Sequence, residues 1–356
     1  SSEKLMLSGS INQANAFGSG NTIGIDVNTS RLNRTIAVSS TNPYFTEDGI
    51  SRSYEVFTRT TRPPTTSTGD YRFRSTGANV KFGVPFSEVD RVFFGAGLER
   101  TDVEVYQGLS NYRDSPLRFR NYVARMDPSL ESAINGNVPG KYSASATGVP
   151  LTVAWQRDSR DSALVPTRGR YQRANFEVSP AGDSKYYRAT YQQQYFMPLF
   201  SFSTLALNGE VNYGKGIGEK GYPIFKNFYA GGIGSIRGYE SASLGPKDSN
   251  GDPLGGSSRI VLNAELQFPF PGSGTDRTLR WFVFTDAGNV YGVDSLGREQ
   301  SFGGDFKYSA GIGLSWVSPI GPLKISFGKP LNPNKSSDPR ERDRSQAFQF
   351  QLGTGF

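Results

Sequence analysis

Cysteine and histidine are both absent from the 356 residues. Without cysteine no disulfide can brace the fold. Without either residue there is no Cys/His zinc site, no thiol–imidazole nucleophile pair and no Ser-His-Asp triad. An all-carboxylate metal site or a carboxylate-pair hydrolase is still allowed by composition. Long apolar runs are also missing: none approaches the ~18 residues that a membrane helix needs. Mean hydropathy is −0.47. This excludes helical spans only, because a barrel that crosses with alternating strands leaves no hydropathy peak. The chain opens without a basic n-region followed by an apolar h-region, so no signal peptide is read and a mature or excised fragment is expected.

Hydrophobic residues make up 36% and charged residues 20%, both below the usual globular share. The net charge of +7 invites a polyanion. Lys and Arg are nevertheless spread along the chain, often beside Asp or Glu, and form no basic stripe. A solvated polar surface, with no nucleic-acid partner, is the expected reading.

What the chain has instead is alternation. Ile23, Ile25, Val27 and Thr29 share one face against Asp26, Asn28 and Ser30. Leu205, Leu207, Gly209, Val211 and Tyr213 oppose Ala206, Asn208, Glu210 and Asn212. Ala310, Ile312, Leu314 and Trp316 oppose Ser309, Gly311, Gly313 and Ser315. Period two is strand geometry. Such runs predict about fifteen strands, from 4–14 and 20–30 through 91–106 and 148–158 to 322–329 and 345–356. Convincing amphipathic helices are not read; the best candidate lies near Pro128–Ile134. Many strands reach the ~9–11 residues that cross a bilayer at a tilt. One face is apolar and aromatic, the other polar, so the second cannot be a dry sandwich core. It suits the lumen of a wide barrel whose outside meets lipid, with aromatics such as Trp155, Tyr195, Phe196, Trp281 and Trp316 at the interfaces.

The predicted fold class is therefore all-β: one transmembrane antiparallel β-barrel over 1–356. Connections fall into two alternating sets. One holds the longest, near 107–147 and 214–258; the other is mostly short, such as 199–200 and 318–321. Long loops face the cell exterior in such barrels. Both terminal strands then run toward the periplasm, and pairing them directly would be parallel. An antiparallel barrel wants an even number, so a further strand before Ser1 is expected.

The segment Asn227-Phe-Tyr-Ala-Gly-Gly-Ile-Gly-Ser-Ile-Arg-Gly-Tyr-Glu240 is glycine-rich, aromatic and weakly charged. Within a polar lumen such a loop should fold inward, where Arg237 would need a carboxylate. A nucleotide loop is excluded, since no Gly-Lys-Ser/Thr and no helix follow the glycines. Ile236-Arg237-Gly238-Tyr239 resembles the signature of the lumen loop in the BamA family of outer-membrane barrel-assembly proteins. Other segments that resemble that family are Asn42-Pro-Tyr-Phe-Thr-Glu-Asp-Gly49 in a periplasmic turn, Asn263-Ala-Glu265-Leu, Phe284-Thr-Asp286-Ala-Gly288, Ser318-Pro-Ile-Gly-Pro322 and the terminal Phe348-Gln-Phe-Gln-Leu-Gly353. The resemblance covers essentially the whole chain. Arg-Gly-Tyr alone is shared with two-partner-secretion transporters and TamA-like proteins; the Asn-Pro-Tyr-Phe turn favours the BamA family.

The resemblance implies a sixteen-stranded barrel in the bacterial outer membrane that assembles and inserts other barrel proteins. It implies no enzyme activity, cofactor or metal. Partners would be outer-membrane lipids, unfolded barrel clients and accessory lipoproteins, the last through N-terminal POTRA domains that this sequence does not show. It also implies that Arg237 meets Glu265 and Asp286 with Phe284 under the guanidinium. Alternation agrees: Phe284 and Asp286 share a face opposite Trp281, Val283 and Thr285, and Glu265 shares its face with Asn263 and Gln267, opposite Leu262, Ala264 and Leu266. At the C-terminus Phe348, Phe350, Leu352 and Phe356 form the alternating insertion signal, while Gly353 and Gly355 should weaken the last strand. A lateral seam between first and last strands, offering edges to clients, is the expected mechanism. The alternative is a secretion transporter of the two-partner or TamA-like type; a barrel-type lipase or protease lacks histidine, and a passive pore conflicts with an inward loop.

Overall fold

The alternating runs form one antiparallel sheet in the computed structural model, which describes residues 7–29, 33–62, 69–200, 202–272, 278–294, 297–318, 321–338 and 341–352. Its strands are β1 (Leu7–Gln13), β2 (Thr22–Thr29), β3 (Asn33–Asn42), β4 (Ser51–Thr61), β5 (Tyr71–Pro85), β6 (Asp90–Gln107), β7 (Gly140–Gly148) and β8 (Leu151–Asp158). They continue as β9 (Gly169–Ser179), β10 (Tyr186–Phe200), β11 (Ser203–Gly216), β12 (Ser258–Pro269), β13 (Leu279–Tyr291), β14 (Lys307–Ser318), β15 (Gly321–Pro330) and β16 (Phe348–Leu352). Each pairs with its chain neighbour, save that β6 pairs with both β7 and β8. Apolar side chains line the outer wall without cover: Leu98 is 67% exposed and Val56 59%. Such a surface suits acyl chains rather than water.

Three expectations need correction. Residues 140–147, read as loop, belong to the strand Gly140–Gly148. Glu99 faces Gly148 and Ala96 faces Leu151, so β7 and β8 are two halves of one stave along β6. Pro150 interrupts the stave because it has no N–H, although its carbonyl still accepts from Gly97 at 2.9 Å. Sixteen strands thus make fifteen staves, and β1 and β16 run in the same direction. Among the described residues no ladder joins them.

The second correction is helical. The loop after β6 carries α1 (Leu117–Met126) and the short α2 (Glu131–Asn135). Phe119, Tyr122, Val123 and Met126 sit at i, i+3, i+4 and i+7, an apolar helical stripe interleaved with Arg118, Arg120 and Arg125. Third, the inner wall is not polar throughout. At its loop end, Tyr71 and Phe73 of β5 and Val103 and Val105 of β6 point inward, and α1 covers them. Phe119 packs edge-on against Tyr71, ring centroids 4.9 Å apart. Phe196, expected at the lipid interface, is buried on the inner wall instead.

Phe119 is fully buried, so Phe119→Ala should destabilise the folded barrel by about 3–5 kcal/mol. Urea titrations in detergent would read this as a lowered midpoint. An unchanged midpoint would mean that α1 is not part of the cooperative core.

Candidate functional site

The loop between β11 and β12, residues 217–257, descends into the lumen and presents Arg237 to the wall. Tight turning is needed on the way down, and Gly231, Gly232 and Gly238 take positive φ. At Gly238 close approach matters as well: a Cβ there would sit 3.0 Å from the carbonyl carbon of Gly328 on β15.

Two adjacent strands supply the receiving carboxylates. Asp286 of β13 and Asn263 of β12 are cross-strand partners, as are Phe284 and Glu265. Asp286 accepts from Arg237 Nε at 2.7 Å, from Nη2 at 2.6 Å and from the Arg237 backbone N–H at 2.9 Å. Glu265 accepts from Nη1. The guanidinium carbon lies 3.7 Å from the Phe284 ring centroid, a cation–π contact. Lys324 of β15 donates to Glu265 at 2.7 Å and Gln267 does so at 3.0 Å. Asn263 donates to Asp286 at 2.8 Å. The charges are therefore paired and their remaining lone pairs satisfied, which a buried ion cluster requires. Arg237 is 2% exposed and Asp286 1%. Space for the aromatic floor comes from β14, where Gly311 faces Phe284 and Gly313 faces Phe282.

The same loop reaches the last strand. Gln349 of β16 donates to Tyr239 O at 2.7 Å and accepts from Gly238 N at 3.3 Å. Tyr239 donates toward Tyr308 O and Asn332 Oδ1, each at 3.3 Å. Across the lumen, Lys226 Nζ lies 2.9 Å from Glu99 of β6 and 3.7 Å from Glu177 of β9. The loop is thus tied at both ends of a span.

Ile236, Arg237, Gly238, Tyr239, Glu265, Phe284 and Asp286 converge at this one place. Phe348, Phe350 and Leu352 lie along β16, away from the cluster. Gly353, Gly355 and Phe356 lie outside the described residues. Sequence reasoning missed Gln349, Lys324 and the Lys226 anchor. Alternation carried a signal for the first two, since both fall on the inward face of their strands; Lys226 carried none. Among the described residues no cluster of three or more acidic side chains could hold a metal. The arrangement clamps the loop to the wall.

Above the clamp, the loop tip at 247–252 meets its neighbours. Asp252 accepts from Gly69 N at 2.9 Å and Arg344 donates to Gly251 O at 2.9 Å. Burial pushes the carboxyls of both Asp248 and Asp252 upward.

An apolar outer wall around a lumen filled by the chain's own loop defines an outer-membrane β-barrel. Residues 15–356 match the Omp85 superfamily domain, and the chain belongs to that superfamily. It is 35% identical to the outer membrane protein assembly factor BamA of Neisseria meningitidis, across 99% of this chain and 45% of that protein. Identity to BamA of Nitratidesulfovibrio vulgaris is 26%, across 98% of this chain and 40% of that protein. The chain spans under half the length of these curated relatives. Among solved structures, BamA of Haemophilus ducreyi lacking POTRA domains 1–3 superposes with a TM-score of 0.82 at 24% identity, covering 98% of this chain and 67% of that one. CdiB of Acinetobacter baumannii gives 0.54 at 15% identity, covering 98% and 56%.

Removing one partner of the clamp leaves a buried charge, so Asp286→Ala should cost about 3–5 kcal/mol. A double-mutant cycle with Arg237→Ala should show strong coupling; additive losses would mean that the loop is not docked. The tip makes a second prediction. A carboxyl raised above its ordinary value of 3.8 contributes stability below that pH and loses it as pH rises through the raised value. The Asp248→Asn/Asp252→Asn variant should therefore be more stable than the parent at pH 7. The gap in urea midpoint should close on acidification toward about pH 4; a gap that widens there refutes it.

Proposed function

We propose that this chain is the membrane module of a factor that folds and inserts other β-barrel proteins into the bacterial outer membrane. The observation that carries this reading is the 35% identity to an assembly factor across 99% of the chain. The role is mechanical and non-enzymatic. Arg237, Glu265, Asp286 and Phe284 act in it as a brace that fixes β12–β16 from inside. Working surfaces are the edges of β1 and β16. An unpaired strand edge presents a row of free N–H and C=O groups, which an incoming client strand satisfies by β-augmentation. A short apolar belt beside that seam would thin the bilayer and lower the barrier to insertion. Clients are unfolded outer-membrane proteins. Accessory lipoproteins enter through the POTRA domains that the BamA resemblance implies. The secretion alternative has weaker support, since CdiB is likened to the chain in fold alone and at the lower TM-score.

Photo-crosslinking tests the seam in the assembly-competent protein. A photoreactive residue at Ile11 of β1 or Phe350 of β16 should capture a folding client strand, while one at Val153, exposed in the middle of the sheet, should not. Equal capture at all three positions, or none at the two edges, would defeat the seam mechanism.

A further inference from the structure

The loop end of the outer wall differs between its two sides. From β9 to the loop after β13 it carries an aromatic ladder: Phe176, Tyr187, Tyr213 and Phe302 follow one another at centroid distances of 6.4, 6.3 and 6.1 Å. From β3 to β7 the corresponding positions are cationic. The register sets out the rows. Val56, Ala78 and Leu98 lie side by side in the apolar belt. One outward position further along the strands, about 7 Å, come Thr58, Thr76, Arg100 and Thr147. The next row holds Arg34, Thr60, Arg74, Asp102 and Ser145. Arg72 and Glu104 follow, with Lys141 beside them.

Five cations, Arg34, Arg72, Arg74, Arg100 and Lys141, thus face outward among two carboxylates of the same rows, while a third, Asp183, accepts from Thr147 at the β7 edge at 2.9 Å and is paired with Lys220. Glu104 is shared by Arg72 at 2.9 Å and Lys141 at 2.8 Å, and Asp102 pairs with Arg100 at 3.2 Å. Among the described residues Arg34 and Arg74 have no ion pair, and both are exposed. The Arg100 side chain is 64% exposed and that of Lys141 52%. Hydroxyls fill the gaps between the charges, and Ser145 bridges Arg100 and Asp102 at 2.9 and 2.6 Å.

We propose that this shelf binds the phosphorylated saccharide headgroup of an acylated glycolipid in the outer leaflet. The arginines match phosphate oxygens with forked, charge-assisted hydrogen bonds. The interspersed threonine and serine hydroxyls match sugar hydroxyls. The apolar row directly below receives the acyl chains, so one molecule touches both zones at once. A free anion or a nucleic acid would use the charges and leave the adjoining apolar belt without a role. A simple phospholipid would leave the hydroxyl rows unmatched.

The test uses the chain in phosphatidylethanolamine nanodiscs, with bound lipid counted by native mass spectrometry. Bis-phosphorylated lipid A should bind saturably. Its dephosphorylated form with the same acyl chains, and cardiolipin, should each bind at least about tenfold more weakly. Arg34→Gln/Arg74→Gln strands no carboxylate and should keep the heat-modifiable mobility of the folded barrel while losing about tenfold in lipid A affinity. Arg170→Gln, at the opposite end of the wall, should retain parental affinity. Should the double variant fail to fold, Arg34→Lys/Arg74→Lys replaces it and should weaken binding less than loss of the phosphates does. Equal binding of the dephosphorylated lipid, full competition by cardiolipin, or unchanged affinity in the glutamine variant would overturn the proposal.

Discussion

Everything on the C-terminal side of this barrel depends on one guanidinium kept out of water. Desolvating a charge costs several kcal/mol, and Arg237 recovers it only where two carboxylates, an aromatic ring and a fixed backbone meet. That requirement explains features which otherwise look unrelated. Gly311 and Gly313 leave room for the phenyl rings, Gly238 lets the loop touch β15, and Lys324 with Gln267 uses up the spare lone pairs of Glu265.

The clamp would hold little if the loop were tied at one point. Lys226 reaches Glu99 and Glu177 on the opposite wall, and the tip at 247–252 gathers Gly69 and Arg344. Loop and wall therefore brace each other across the lumen. Closing the lumen's mouth with α1 adds a small apolar core, and a second apolar cluster gathers Ile236, Tyr239, Leu244 and Val290 around the docked loop. Two solvents act on one sheet here: lipid selects its outer residues, and packed loops select many of the inner ones.

Much of this was legible in the sequence because strand pleating is strict. Alternation alone placed Phe284 with Asp286 and separated them from Trp281 and Val283. It could not separate a polar lumen from a loop-packed one, since Val103 and Val105 continue the period of Glu99 and Thr101 unchanged. The stripe of α1 was present in Phe119, Tyr122, Val123 and Met126, but three arginines and a loop setting masked it. Residues 140–147 were lost to the loop because small and polar residues dominate Gly-Lys-Tyr-Ser-Ala-Ser-Ala-Thr, leaving only Tyr142 and Thr147 of the aromatic and branched kinds that announce a strand. Lys226 was invisible for a different reason: its partners lie 127 and 49 residues away, on strands that only the folded sheet brings near.

Gln349 adds a matter of timing. It holds the backbone of Gly238 and Tyr239 from 111 and 110 residues further along the chain. Synthesis delivers the loop long before the strand that completes its socket. The clamp is thus an end-of-chain check: a polypeptide that stops short of β16 can still pair Arg237 with its carboxylates, but it leaves the turn after that arginine unheld.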